Sequence, residues 1–118
     1  MREYRVKIRV AGNTGGPALF ALKAKGYTVE LSYLRRDPGE YEAEYSAHKD
    51  GCWFYADTPE ELLGLVAMWE ERGDGWSAST GDERAWRDAL EGAAPVYDHH
   101  GNLVNGKDGR PSPARQAQ

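Results

Sequence analysis

The dipeptide Asp50-Gly51 lies between two runs that alternate apolar and polar residues, and no other feature constrains this chain as much. Two residues of this type favour a hairpin whose central positions take positive φ. A two-residue loop predicts the pairs Lys49–Cys52, His48–Trp53, Ala47–Phe54 and Ser46–Tyr55. Side chains alternate across a strand, so this register also sorts the two faces. Tyr41, Ala43, Tyr45, Ala47, Cys52, Phe54 and Ala56 turn toward a core, whereas Glu42, Glu44, Ser46, His48, Trp53 and Tyr55 turn outward. A three-residue loop would exchange the two sets.

Two further segments read as strands. "EYRVKIRV" sets Tyr4, Val6, Ile8 and Val10 on one face and Arg5, Lys7 and Arg9 on the other. "YTVELSYL" sets Tyr27, Val29, Leu31 and Tyr33 inward. It joins the next strand through "RRDPG", whose Pro-Gly is turn chemistry. Both inward sets are odd-numbered, so this connection needs an odd loop or a bulge; a plain two-residue hairpin does not fit.

A sheet with one apolar face needs helices over it. "DTPEELLGLVAMWEERG" supplies one: Thr58 and Glu61 as a capping box, Pro59 in the first turn, and Leu62, Leu65, Val66 and Trp69 on one side. Gly73 ends it. "PALFALKAKG", a helix over 17–25 that Pro17 opens and Gly26 follows, supplies a second. Thr80 and Glu83 cap a third, short helix with Ala85, Trp86, Ala89 and Leu90 on one side, and "PVYDHHGNLV" reads as a small hairpin. The expected fold is α+β, with a four-stranded, mostly antiparallel sheet packed by helices on one face. Its order is β-α-β-β-β-α, plus the short third helix and a C-terminal hairpin. Residues 1–104 are expected to form a single domain and 105–118 a disordered tail, polar and rich in Gly and Pro.

The middle of this order, α-β-β-β-α, parallels that of double-stranded-RNA-binding domains, but "DTPEE" stands where those domains begin their last helix with basic residues. "GYTVEL" and "GCWFYADTPEELL" are similar to pieces of the HicB-like antitoxins. Their separation in this chain is too large to place it in that family.

Composition narrows the function. The 118 residues carry 15 basic and 19 acidic side chains, net −4, which argues against a phosphate-backbone binder. The single cysteine, Cys52, allows no internal disulfide and fits a reducing, cytoplasmic setting. No apolar run approaches the ~20 residues of a membrane span. "AGNTGGP" precedes a helix but lacks both phosphate-loop fingerprints. Asp98, His99 and His100 cluster in sequence, yet adjacent histidines on a strand would point apart and zinc-ligand pair spacings are missing. Nucleophile motifs are absent, and no catalytic residue, metal ligand or cofactor is assigned.

The expectation is therefore a small non-enzymatic protein-binding module. It would be an inhibitor of the antitoxin, immunity or phage anti-defence kind, acting by occlusion or charge complementarity on a protein that is itself basic or nucleic-acid-binding. Trp53 and Tyr55 on the wet face are the expected anchors, with Trp76 and Trp86 as other candidates. Glu42, Glu44, Glu70, Glu71 and Asp74 would steer the partner. Glu70, Glu71 and Asp74 oppose the dipole at the end of their helix, which suggests selection for something other than helix stability. One alternative is a nucleic-acid-binding module that uses Arg5, Lys7 and Arg9 with Trp53 as a stacking platform. Another is a small metal-dependent enzyme centred on Asp98, His99 and His100.

Overall fold

A computed structural model describes residues 4–104; the tail expected at 105–118 lies outside them. The chain divides between Trp76 and Ser77 into two compact units. The first carries α1 (Gly15–Ala24), β1 (Thr28–Asp37), β2 (Glu40–Lys49), β3 (Cys52–Ala56) and α2 (Pro59–Arg72), then a 3-10 turn at Gly73–Gly75. The second carries α3 (Gly81–Gly92) and a two-stranded hairpin of β4 (Val96–Tyr97) and β5 (Leu103–Val104).

The Asp50-Gly51 hairpin forms in the expected register, His48 opposite Trp53 and Ala47 opposite Phe54. Asp50 and Gly51 take φ of 52° and 82°, the positive values that such a turn demands. Between β1 and β2 the parity conflict is resolved by a bulge at Arg36, between the pairs Arg35–Tyr41 and Asp37–Glu40. The extra residue lets Pro38-Gly39 turn as two residues, with Gly39 at φ 85°.

The sheet has three strands in the order β1-β2-β3 and not four. Residues 4–10 join no ladder among the described residues, and Tyr4, Val6, Ile8 and Val10 are all exposed. Alternation specifies which face a strand would present, but not that a partner edge is within reach. Here the core closes without that segment.

That core gathers Leu22 from α1, Tyr27, Ala47 from β2, and Leu62 and Val66 from α2, with Val29, Tyr45, Phe54, Ala56 and Leu63 packed against it. Phe54 meets the Tyr27 ring edge-on and the Trp69 ring at a tilt. α2 begins where anticipated, with Pro59 in the first turn, but only half of the capping box forms: the Thr58 hydroxyl accepts from the Glu61 amide and donates to the Glu61 carboxylate. α1 begins two residues before Pro17, so the proline still falls in the first turn, where no intrahelical donor is lost.

A polar corner joins four elements at the far ends of both helices. The Glu70 carboxylate accepts from Lys25 Nζ at 2.7 Å and from the Tyr27 hydroxyl at 3.2 Å. Lys49 Nζ donates to the Lys25 carbonyl and lies over the Tyr27 ring. The Lys25 bond holds the Glu70 carboxyl below its ordinary range, and burial, then the nearby Glu70 charge, raises the Tyr27 hydroxyl.

Candidate functional site

Both helices pack on the inner face of the first unit's sheet, which leaves the outer face to be built by strand alternation alone. Four side chains form a row across it. Glu30 on β1 approaches His48 Nε2 on β2 at 3.4 Å, a contact that becomes an ion pair when the imidazole is protonated. The His48 ring stacks on Trp53 of β3 with centroids 3.8 Å apart and planes 12° from parallel. Trp53 in turn stacks on Tyr55, two residues along β3, at 6.0 Å. Cross-strand pairing sets the first stack, since His48 and Trp53 are direct partners. Ser46, flanked in register by Glu30 and Tyr55, is buried beneath this row. Trp53 and Tyr55 nonetheless remain 49% and 54% exposed.

The acids expected to accompany these anchors divide into two groups. Glu42 and Glu44 share the outer face, but Glu42 stands six residues from His48, about 20 Å along the strand. There Glu42 pairs with Arg36 at 2.8 Å, and both acids line a shallow depression of about 310 Å³ with Ser32, Arg36 and Asp57. Glu70, Glu71 and Asp74 stand at the end of α2, in the helical layer on the opposite side of the sheet from Trp53. Glu70 is held by Lys25 and Tyr27, and Asp74 accepts from the Trp69 indole at 3.4 Å. These internal bonds account for two acids that looked misplaced against the helix dipole.

Arg5, Lys7 and Arg9 lie in the segment 4–10 and not on a strand beside Trp53, so the basic strip and the stacking platform share no sheet face. Lys7 and Arg9 instead border a groove of about 650 Å³ with Ile8, Val10, Pro17 and Leu63. At its floor the Thr14 hydroxyl has one proton to direct at either the Ala11 carbonyl or the Glu60 carboxylate, and the bond to Glu60 lowers that carboxyl.

Asp98, His99 and His100 form the turn of the second unit's hairpin. Asp98 Oδ1 accepts from the backbone amides of His100 and Asn102, both at 2.9 Å, an Asx-type cap. The two imidazoles do not diverge as strand residues would; in the turn their centroids are 3.9 Å apart. Among the described residues no group of three or more His, Cys, Asp or Glu side chains is arranged to hold a metal. Trp76 is exposed, with its carbonyl accepting from Arg72 Nε; Trp86 and Leu90, on one side of α3, are also exposed.

Sequence reasoning missed one surface. Leu31, Tyr33 and Tyr41 were placed inward, and they do lie on the inner face, yet all three are exposed, Tyr33 by 64%. β3 ends at Ala56 opposite Tyr45, so the distal β1–β2 ribbon extends past both β3 and the helices. The signal was legible: Thr58 caps a helix, which leaves β3 too short to match its ten-residue neighbours.

No protein-family model, curated protein or solved structure matches this chain.

Proposed function

We propose that this chain is a non-catalytic protein-binding module that acts by occluding a surface of its partner, in the manner of an inhibitor. The supporting observation is the row His48–Trp53–Tyr55, an aromatic surface already ordered by stacking and still half exposed. Tryptophan and tyrosine dominate interface energetics when a partner desolvates them. Rings held before binding lose little further rotamer freedom, which lowers the entropic cost of association. Glu30 stands at one end of the row, and Glu44 and Glu42 lie further along the same face. With a net charge of −4, they favour a partner with a basic contact surface.

The test is a pull-down from the source cell's lysate with tagged protein, at low and high salt, beside a Trp53→Ala/Tyr55→Ala control. A stoichiometric protein retained by the native chain and lost by the control supports the proposal. Retention by both forms refutes the face. Recovery of nucleic acid alone refutes the function.

A further inference from the structure

The segment 4–10 and the β1 edge are each incomplete, and each carries what the other lacks. Residues 4–10 keep a strict two-residue alternation but belong to no ladder among the described residues. Ile8, the most exposed of their apolar set, is 79% accessible. β1 is an edge of its sheet, ten residues long, and among the described residues no strand pairs with its outer side. Long open edges invite pairing with another strand, and folded proteins commonly cover or blunt them.

Both faces match at once. On the inner side of β1, Leu31 and Tyr33 lie uncovered, and Tyr4, Val6, Ile8 and Val10 would extend that surface. On the outer side stands Glu30, opposite Ser46, and further along the ribbon Glu44 and Glu42 of β2 stand opposite Ser32 and Leu34. Arg5, Lys7 and Arg9 would then fall on that same acidic side. The β3 edge offers no such agreement, since its outer residues are Trp53 and Tyr55.

The segment's root points to which copy supplies the edge. Thr14 closes the turn by donating its amide to the Ala11 carbonyl, and its hydroxyl lies within reach of either that carbonyl or Glu60 at the start of α2. Lys7–Val10 therefore leave along the N-terminal ends of the helices, bordering the groove with Pro17 and Leu63, and not along their own β1. A second copy presents the same free segment and the same free edge, so two copies can exchange both in one two-fold arrangement.

We propose that this protein self-associates by strand addition, with residues 4–10 of each copy pairing along β1 of the other. The occupant of the edge is a second copy of this chain.

Sedimentation velocity on the full chain across about 1–100 µM tests this, because a dimer's population depends on concentration. The native chain is expected to dimerise, and the arm amides to exchange slowly in the dimer. Lys7→Pro/Ile8→Pro, at adjacent exposed positions whose amides point to opposite sides of a strand, removes a ladder donor whichever side faces β1. It should raise the dimer Kd by about 10-fold or more, with a melting curve unchanged at concentrations where the native chain is monomeric. Arg5→Glu/Lys7→Glu/Arg9→Glu, which leaves the backbone able to pair, should also weaken the dimer. Adding Glu30→Lys to that triple variant should recover part of the loss. A native chain that stays monomeric throughout overturns the proposal, whether or not its arm amides are protected. So does a dimer that survives both the proline pair and the charge reversal.

Discussion

Replacing Trp53 by alanine separates a contact surface from a structural one. Trp53 is 49% exposed and makes its intramolecular contacts through stacks with His48 and Tyr55. The aromatic pairing it gives up is worth about 0.5–1.5 kcal/mol, to which cross-strand packing adds up to about 1 kcal/mol. A loss of about 1–2 kcal/mol leaves a domain of ordinary stability folded. Its exposed half offers a partner about 100 Å², given the ~150–250 Å² that a large aromatic buries. At about 25 cal/mol per Å² this is about 2.5 kcal/mol, a loss of roughly 70-fold in affinity. Leu62→Ala is the contrasting variant: Leu62 is fully buried between sheet and helices, and its truncation should cost about 2–5 kcal/mol of stability. Urea unfolding followed by far-UV circular dichroism measures the first quantity for both variants. Isothermal titration against the captured partner measures the second. Were Trp53→Ala to destabilise as much as Leu62→Ala, Trp53 would be a core residue. Were it stable with affinity changed less than about threefold, the outer face would be the wrong surface.

Acid should destabilise the first unit through Glu60 and Glu70. Both carboxyls are lowered from 4.5 in the folded chain, so their contribution is present above that value and is lost as pH falls through the folded values. Glu60→Gln/Glu70→Gln should therefore flatten the dependence of urea midpoint on pH below 4.5, and an unchanged slope would refute the assignment. Tyr27 acts at the other end: its hydroxyl is raised from 10.0, so its contribution holds below that value and is lost as pH rises past it, an effect Tyr27→Phe should remove. Gly51→Ala must place a side chain at φ 82° and should cost about 1 kcal/mol or more in the same unfolding assay. Asp98→Ala should speed amide exchange at His100 and Asn102, the two amides that its carboxylate caps; unaltered exchange would mean that the turn closes without it.

Local chemistry made much of the architecture legible in the sequence. Asp50-Gly51 dictated the register of β2 on β3 because only a turn with positive φ at both central residues matches the strand twist there. The odd-numbered inward residues required a bulge or odd loop before β2, and the chain uses the bulge at Arg36. Thr58, Pro59 and Gly73 marked the bounds of α2, since caps act within a single turn. Register also assigned Trp53 and Tyr55 to the face that the helices leave open.

Three-dimensional arrangement decided the remainder. The apolar alternation of Tyr4–Val10 is satisfied by any available edge, so it could not reveal that this segment joins no strand among the described residues. Glu70 looked misplaced because a helix dipole is a local property. Its partners Lys25 and Tyr27 lie 45 and 43 residues away, where spacing does not encode them, whereas Asp74 meets Trp69 only five residues back. Leu31, Tyr33 and Tyr41 read as core because parity chooses a face, whereas burial depends on how far β3 and the helices extend over it. Short-range sterics and hydrogen bonding thus determined turns, caps and faces from sequence alone. Which surfaces were covered was decided only when the elements packed, because burial is set by every element that reaches a surface and not by the residues that present it.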